Sequence, residues 1–205
     1  MLNQCHTTRV ESFVADVAGD DFTSHEIIAG DMAPGLILLC DHARNTLPPR
    51  YGSLGLPLSE FTRHIAFDIG VEGVTRQLAA KLGVPAMLTH YSRLLIDPNR
   101  GLDDPTMIMK ISDGAIVPGN ATIDPAEREA RIARYYAPYH AGIDGLIQTF
   151  RSNGIVPALL SIHSFTAHWK GLPRPWHAGI LWDENDPRFS KSLIAGLSRQ
   201  RDLVV

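Results

Sequence analysis

The chain has 205 residues, of which 44% are hydrophobic and 20% are charged, and its formal net charge is -3 at pH 7. These values are typical of a globular protein with a sizeable core, and they exclude a disordered or fibrous chain. The slightly negative charge argues against a nucleic-acid-binding surface, and no apolar run approaches the ~20 residues that cross a bilayer. Two cysteines are too few for a disulfide framework, and no secretion signal opens the chain. We therefore expect a single cytoplasmic domain that binds neither nucleic acid nor membrane.

The first half of the chain predicts two strands and one helix. Residues 1–30 have weak periodicity and predict an irregular arm or an edge element. The apolar run Gly35–Cys40 predicts a buried strand, because it is short and is followed at once by polar residues and a Pro-Pro pair. With Ser59 as its N-cap, a helix is predicted to run to about residue 82, where a glycine and a proline follow. Val84–Tyr91 predicts the second strand.

The second half continues the alternation of strands and helices. Residues 101–123 are rich in Gly, Asp and Pro and predict a long loop, which in a compact domain is usually functional or mobile. The other predicted elements are a helix over 124–151 with a kink at Pro138, strands over 155–164 and 177–183, and a helix over 188–200. Strands that alternate with helices predict an α/β fold with a mostly parallel sheet covered on both faces.

Two histidines follow predicted strands, where functional residues collect in parallel sheets. His42 follows the first strand and His163 ends the third, and a neutral imidazole is a good zinc ligand. We expect Asp68 as the third ligand, because a carboxylate on an otherwise apolar helix face is costly unless it is paired or bound to a metal. His64 would share that face, one turn earlier. The alternatives are histidines that only cap strands, and an Asp68 that is a surface carboxylate or a partner of His42.

The segment after the second strand predicts a clamp for carboxylates. Arg93, Asn99 and Arg100 lie close together in sequence, and arginine can donate two parallel hydrogen bonds to a carboxylate. Asp97 is expected to orient one of the arginines. The alternative interpretation is a turn closed by surface ion pairs.

Two further histidines, His140 and His177, lie beside prolines at or near the ends of predicted elements. Each either lines the pocket or serves only capping and packing. The sequence contains no G-x-S-x-G, no phosphate-binding glycine loop, no C-x-x-C and no H-E-x-x-H. These absences argue against a serine esterase, a P-loop enzyme and a thioredoxin.

Taken together, these residues resemble the N-formylglutamate amidohydrolase family. The segments that carry the resemblance are DHARNTLPPRYG from residue 41, HIAFDIGVEGV from 64, YSRLLIDPNRG from 91, RIARYYAPYHAGI from 131, LLSIHSFT from 159 and RPWHAGILWD from 174. They cover most of the chain from about residue 36 onward. The Asp-Pro-Asn-Arg at 97–100 is also similar to the Asp-x-Asn-Arg of aspartoacylases, in which the Asn-Arg pair binds the substrate carboxylate.

The resemblance implies a fold, a reaction and a set of roles. The fold would be the three-layer α/β/α sandwich of the zinc exopeptidases, and the reaction would be hydrolysis of the amide of an N-acylated acidic amino acid, typically N-formylglutamate. One divalent ion, Zn²⁺, would be held by His42, Asp68 and His163. Arg93 would be catalytic, and the remaining substrate contacts would be Asn99, Arg100, His140 and His177. The partner would thus be a small molecule with carboxylates, while the oligomeric state stays open.

In one respect the sequence departs from the family pattern. Family members continue through a segment rich in Asn, Glu and Pro to a late glutamate followed by Ile-Arg, whereas this chain stops at Val205. We therefore expect the C-terminal part of the family's domain to be missing. The general base then lies beyond Val205 or comes from elsewhere, or the protein is impaired. The competing hypotheses are a non-catalytic homologue that binds metal or carboxylates, and a structural or interaction domain.

Overall fold

The computed structural model describes residues 9–11, 13–17, 20–169 and 171–205. It consists of two compact units, Met1–Phe165 and Thr166–Val205. In the described part of the chain, no helix is both long and apolar enough to cross a bilayer. The single-domain organisation stays a prediction.

A five-stranded mixed sheet forms the centre of the first unit. Its order is β2-β3-β6-β5-β9, and its strands are β2 (Phe13–Val17), β3 (Asp20–Ile28), β5 (Leu36–Cys40), β6 (Ala86–Thr89) and β9 (Ala158–Ser161). The pairs β6–β5 and β5–β9 are parallel, and β2 and β3 add an antiparallel hairpin at one edge. A minor ladder joins β1 (Arg9–Val10) to β4 (Gly30–Asp31). The expected irregular arm over residues 1–30 is therefore wrong for its described part, which forms strands and supplies the edge element instead.

Helices cover both faces of the sheet. Alternate residues of each strand point to opposite sides, and here both sides are apolar and must be buried. On one face, Ile37 and Leu39 of β5 pack with residues of the long helix α4 (Ala137–Ser152), including Phe150. On the other face, Leu38 and Cys40 of β5 pack with residues of helix α1 (Val71–Leu82), including Val71. Each face buries its own apolar cluster. The α/β fold and its three layers are as predicted.

The helix predicted from residue 59 to 82 begins later than expected. A short 3₁₀ helix spans Leu58–Thr62, turns follow, and α1 starts only at Val71. Gly70 precedes α1 with a φ of 85° in the left-handed region, which interrupts any continuous helix. His64 and Asp68 therefore do not share a helical face, and this expectation was wrong.

The predicted loop over residues 101–123 contains a small hairpin and a short helix. The hairpin pairs β7 (Ile111–Ser112) with β8 (Ala115–Ile116), and α2 (Pro118–Ala121) follows. The predicted helix that starts after Asp124 is confirmed, and its backbone stays helical throughout, with a π-helical segment just before Pro138, where a kink was predicted. Its parts are α3 (Pro125–Arg131), a π-helical segment (Ile132–Tyr136) and α4. The Asp124 side chain caps α3 by accepting a 2.7 Å hydrogen bond from the Glu127 amide.

The second unit contains a two-residue ladder and one helix. The ladder joins β10 (His168–Trp169) to β11 (Leu172–Pro173), and α5 (Arg188–Leu197) confirms the last predicted helix. The strand predicted over 177–183 is wrong, since these described residues are irregular and join no ladder. The amides of His177 and Ala178 both donate to the carbonyl of Val204 rather than to a neighbouring strand.

Candidate metal centre

The carboxyl ends of the parallel strands bring two of the predicted ligands together. His42 comes two residues after β5 ends, and His163 comes two residues after β9 ends. The turn before α1 adds Asp68, whose amide donates a 3.0 Å hydrogen bond to the carbonyl of His42. One donor atom from each of these three side chains lies within 4.8 Å of the other two. This group could hold a metal ion.

One ring nitrogen of His42 makes a hydrogen bond to a carboxylate, and the other is buried without a hydrogen bond. Its Nε2 lies 2.7 Å from Oδ1 of Asp97, which is fully buried. Its Nδ1 is also buried and makes no hydrogen bond, although Oδ2 of Asp68 is 3.4 Å away. A metal-binding histidine usually donates its second N–H to a carboxylate in this way, which leaves the other nitrogen for the ion. The orphaned Nδ1 therefore fits a metal ligand.

His163 has a similar arrangement and approaches the same oxygen of Asp68, with its ring centroid 5.0 Å from that of His42. Its Nδ1 lies 2.8 Å from Oδ2 of Asp68, and its Nε2 lies 3.2 Å from Oδ2 of Asp41 and 3.1 Å from the hydroxyl of Ser161. The His163 side chain is 33% exposed, whereas His42 and Asp68 are buried. The site therefore opens to solvent on the His163 side.

Asp97 links this group to the predicted clamp. Besides His42, it accepts hydrogen bonds from Nη2 of Arg93 at 2.7 Å and from the amide of Asn99 at 2.9 Å. Nη1 of Arg93 also lies 3.5 Å from Oδ1 of Asp68. The expectation that Asp97 orients an arginine is met in the structure, and Arg93 is held beside the candidate metal ligands.

The other clamp residues lie at the more open side of the same loop. The side-chain amide of Asn99 is 3.4 Å from Nε2 of His163. Arg100 is half-exposed, with Nη1 3.7 Å from Asp104. The imidazole of His140 donates from Nε2 to the carbonyl of Pro98 at 3.1 Å and so supports the backbone of this loop.

His64 and His177 contact residues other than the three candidate ligands. His64 is 42% exposed and pairs with Asp113 at 3.6 Å, so it is separate from the three candidate ligands. His177 lies in the second unit, where its Nδ1 accepts a 3.0 Å hydrogen bond from the amide of Val204.

The protonation states follow from this crowding of carboxylates around imidazoles. Hydrogen bonds to Asp41 and then Asp68 raise the pKa of His163 to about 9, against the effect of its burial. Burial alone would raise the pKa of Asp41, but hydrogen bonds from His163, Ser161 and Tyr139 lower it to about 2. Burial likewise opposes a low pKa at Asp68, but the hydrogen bond from His163 and the charge of the nearby His42 lower it. Without a metal, a protonated His163 offsets part of the carboxylate charge.

The charge count also suits a divalent cation. The three carboxylates of Asp41, Asp68 and Asp97 are buried; Arg93 contacts Asp68 and Asp97, and the half-exposed Arg100 lies 4.0 Å from Asp97. With both imidazoles neutral, negative charge is left over even when both arginines are counted, and isolated buried charges are costly. A bound divalent ion would balance them. Two imidazoles and one carboxylate, with an open side for water, form the usual donor set of catalytic zinc.

Three further side chains belong to this site, and the sequence did not indicate roles for them: Asp41, Ser161 and Tyr139. Asp41 immediately precedes His42, and Ser161 is two residues before His163, so their proximity to the histidines was a usable signal. Tyr139 lies in α4, and its hydroxyl donates to Oδ1 of Asp41 at 2.6 Å. No local pattern in the sequence indicates that contact, which depends on how α4 packs against the sheet.

The fold and the site define the class of the protein, an α/β protein whose parallel strands carry a candidate metal-binding group at their carboxyl ends. The family model for N-formylglutamate amidohydrolase matches residues 35–205, and the chain therefore belongs to this family. Membership points to a hydrolase that acts on a small molecule. No curated protein shows significant similarity to the chain.

Two solved structures share the fold. A gene product of Agrobacterium tumefaciens is 32% identical, with a TM-score of 0.80 over 88% of this chain and 71% of its own. The N-formylglutamate amidohydrolase of Ralstonia eutropha is 20% identical, with a TM-score of 0.63 over 95% of this chain and 74% of its own. At that identity, the second likeness concerns the fold alone.

Proposed function

We propose that the chain is a metal-dependent amidohydrolase that cleaves the amide of an N-acylated acidic amino acid, with N-formylglutamate as the type substrate. Family membership supports amide hydrolysis. The observation that carries the metal dependence is the buried, unpaired Nδ1 of His42, which faces Asp68 while Asp97 holds Nε2. The ion would be zinc or another divalent metal.

In this proposal each ligand has a defined donor atom. His42 and His163 would bind through Nδ1, and Asp68 would bind through its carboxylate. Tetrahedral zinc with bonds of ~2.0–2.1 Å separates its ligand atoms by roughly 3.3 Å. The distance of 3.4 Å from His42 Nδ1 to Asp68 Oδ2 is close to that value, whereas the 2.8 Å from His163 Nδ1 is a hydrogen bond that would have to open when an ion binds. A bound ion would polarise the amide carbonyl and lower the pKa of a water molecule to about 7.

The clamp would bind and orient the substrate. Arg93 lies beside Asp68, so its guanidinium would stabilise negative charge that develops on the amide oxygen. Asn99 and Arg100 lie on the open side of the loop, where they would bind the carboxylates of an acidic amino acid. His140 supports this loop through Pro98, and direct substrate contacts by His140 and His177 stay predictions.

One observation favours the alternative, a non-catalytic homologue that binds metal and carboxylates. Asp41, Asp68 and Asp97 are each engaged by at least two hydrogen-bond donors, so none is free to act as a general base. Among the described residues, no glutamate oxygen lies within ion-pair distance of His42 or His163. Such a homologue would bind the ligand without turning it over.

A turnover assay with matched variants distinguishes the amidohydrolase from the non-catalytic homologue. Formate release from N-formylglutamate is measured for the wild type, His42→Ala, His163→Ala and the control His64→Ala, with zinc supplied and then removed by a chelator. We expect zinc-dependent release by the wild type and by the control only. N-Formylleucine has the same amide without the second carboxylate, and it should be a poorer substrate. Zinc and substrate binding without release would favour the non-catalytic homologue.

A further inference from the structure

Asp41 is not one of the three candidate metal ligands, but it contacts one of them, His163. Its carboxylate is buried, and Oδ2 contacts Nε2 of His163 at 3.2 Å. That contact is on the side of the imidazole away from Asp68, whose Oδ2 faces Nδ1. Nε2 also lies near the hydroxyl of Ser161 and the side-chain amide of Asn99, and Asp41 is the charged one of these three partners. The orientation of His163 therefore depends in part on where the Asp41 carboxylate is held.

Two hydroxyl groups hold that carboxylate. Tyr139 donates to Oδ1 at 2.6 Å, and Ser161 donates to Oδ2 at 2.5 Å. Tyr139 is fully buried within the apolar cluster between α4 and the sheet, where phenylalanine would fill nearly the same volume. A buried hydroxyl is retained at little cost only where it has a partner, and the partner here is a carboxylate of the site. Tyr139 therefore connects α4 to His163 through Asp41.

We propose that Tyr139 is a positioning residue for metal affinity. By fixing Asp41, it keeps Nε2 of His163 hydrogen-bonded and Nδ1 directed at Asp68, ready to bind an ion. The inference rests on the proposed metal site and extends it to a residue on a helix behind the sheet. Outer partners of metal-binding histidines typically change metal affinity by 10–100-fold when they are removed.

The test compares two buried tyrosines. Tyr139→Phe removes the hydroxyl that holds Asp41, while the control Tyr91→Phe removes an equally buried hydroxyl that donates at 3.3 Å to the carbonyl of Tyr135. The dissociation constant for Zn²⁺ is measured by competition with a chelating dye. The absorption spectrum of the Co²⁺-loaded protein and the Tm of the metal-free protein are recorded in parallel.

We expect Zn²⁺ affinity at least about tenfold weaker in Tyr139→Phe than in the control, with an altered Co²⁺ spectrum and a similar loss of Tm in both. Should Tyr139→Phe not fold, Asp41→Asn replaces the carboxylate through which Tyr139 acts, and the same loss of affinity is expected. If the wild type binds Zn²⁺ and the variant at Tyr139, or in its place the one at Asp41, matches the control within twofold, the inference alone is overturned. If the wild type binds no metal, both the inference and the proposed metal dependence are overturned.

Discussion

Nε2 of His42 lies 2.7 Å from Oδ1 of Asp97, and this contact joins the candidate metal centre to the predicted substrate clamp. The same carboxylate accepts hydrogen bonds from Arg93 and from the amide of Asn99. A single fully buried side chain thus sets the orientation of a candidate ligand and of the loop that would bind the substrate.

Asp97→Asn should weaken both functions of this carboxylate. An amide cannot accept from His42, Arg93 and the Asn99 backbone as a carboxylate does, so we expect metal affinity to fall by about 10–100-fold. We also expect a loss of about 1.5–3 kcal/mol in the free energy of unfolding, because hydrogen bonds to a charged group are lost. Dye competition and urea unfolding measure the two quantities. Asp104→Asn, in the same loop but away from the histidines, is the control, and equal behaviour of the two variants would contradict the prediction.

The packing of α4 against the sheet predicts opposite effects for two of its glycines. A Cβ at Gly142 would lie 2.7 Å from both Nε2 of His25 and Cε of Met87, whereas a Cβ at Gly145 would meet nothing within 4 Å. The methionine tip can move aside, but the buried imidazole has little room. We expect Gly142→Ala to cost about 1–3 kcal/mol of unfolding free energy through overpacking. Gly145→Ala should gain up to about 1 kcal/mol, because alanine is the better helix former.

Urea unfolding of Gly142→Ala, Gly145→Ala and the wild type measures both changes in the free energy of unfolding. Equal changes of the same sign would show that α4 does not approach His25 as closely as the structure has it.

His25 predicts a loss of stability in mild acid. Burial, with a smaller effect from His90, lowers its pKa from 6.5 to about 4. The unfolded chain therefore binds a proton below pH 6.5 that the folded protein takes up only near pH 4. The corresponding stabilisation, of about 3 kcal/mol, is present above pH 6.5 and is lost as the pH falls towards 4. Urea unfolding at pH 7, 5.5 and 4.5 should show this decline.

The comparison with His25→Gln isolates this group, because carboxylates that titrate in the same range are common to both proteins. We expect the variant to have a flatter dependence between pH 7 and 4.5. Parallel curves for the two proteins would contradict the assignment.

The layered fold could be predicted because its signals are local. Short apolar runs at Leu36–Cys40 and Ala86–Thr89 are buried on both faces, and strands of that kind alternate with amphipathic helices in α/β proteins. The helix from residue 59 failed because Gly70 adopts a left-handed conformation, which a periodicity of apolar residues does not reveal. The strand over 177–183 failed because an apolar sequence specifies a strand only where a neighbouring strand is available to pair.

The candidate site was partly predictable for the same reason. His42 and His163 follow strands, so their convergence follows from the geometry of a parallel sheet. Asp68 was predicted from an apolar helix face, but the helix begins only at Val71. Asp68 nevertheless lies beside both His42 and His163. The hydrogen bond from Tyr139 to Asp41 joins positions far apart in sequence, and only the packing of α4 determines it.

The most direct test of the central claim is the metal content of the purified protein, measured by elemental analysis after exposure to Zn²⁺ and removal of the excess. The wild type and His64→Ala should retain about one ion per chain, and His42→Ala and His163→Ala should retain far less, because each lacks one of three protein ligands. A wild type that retains no more metal than the two ligand variants would contradict the account.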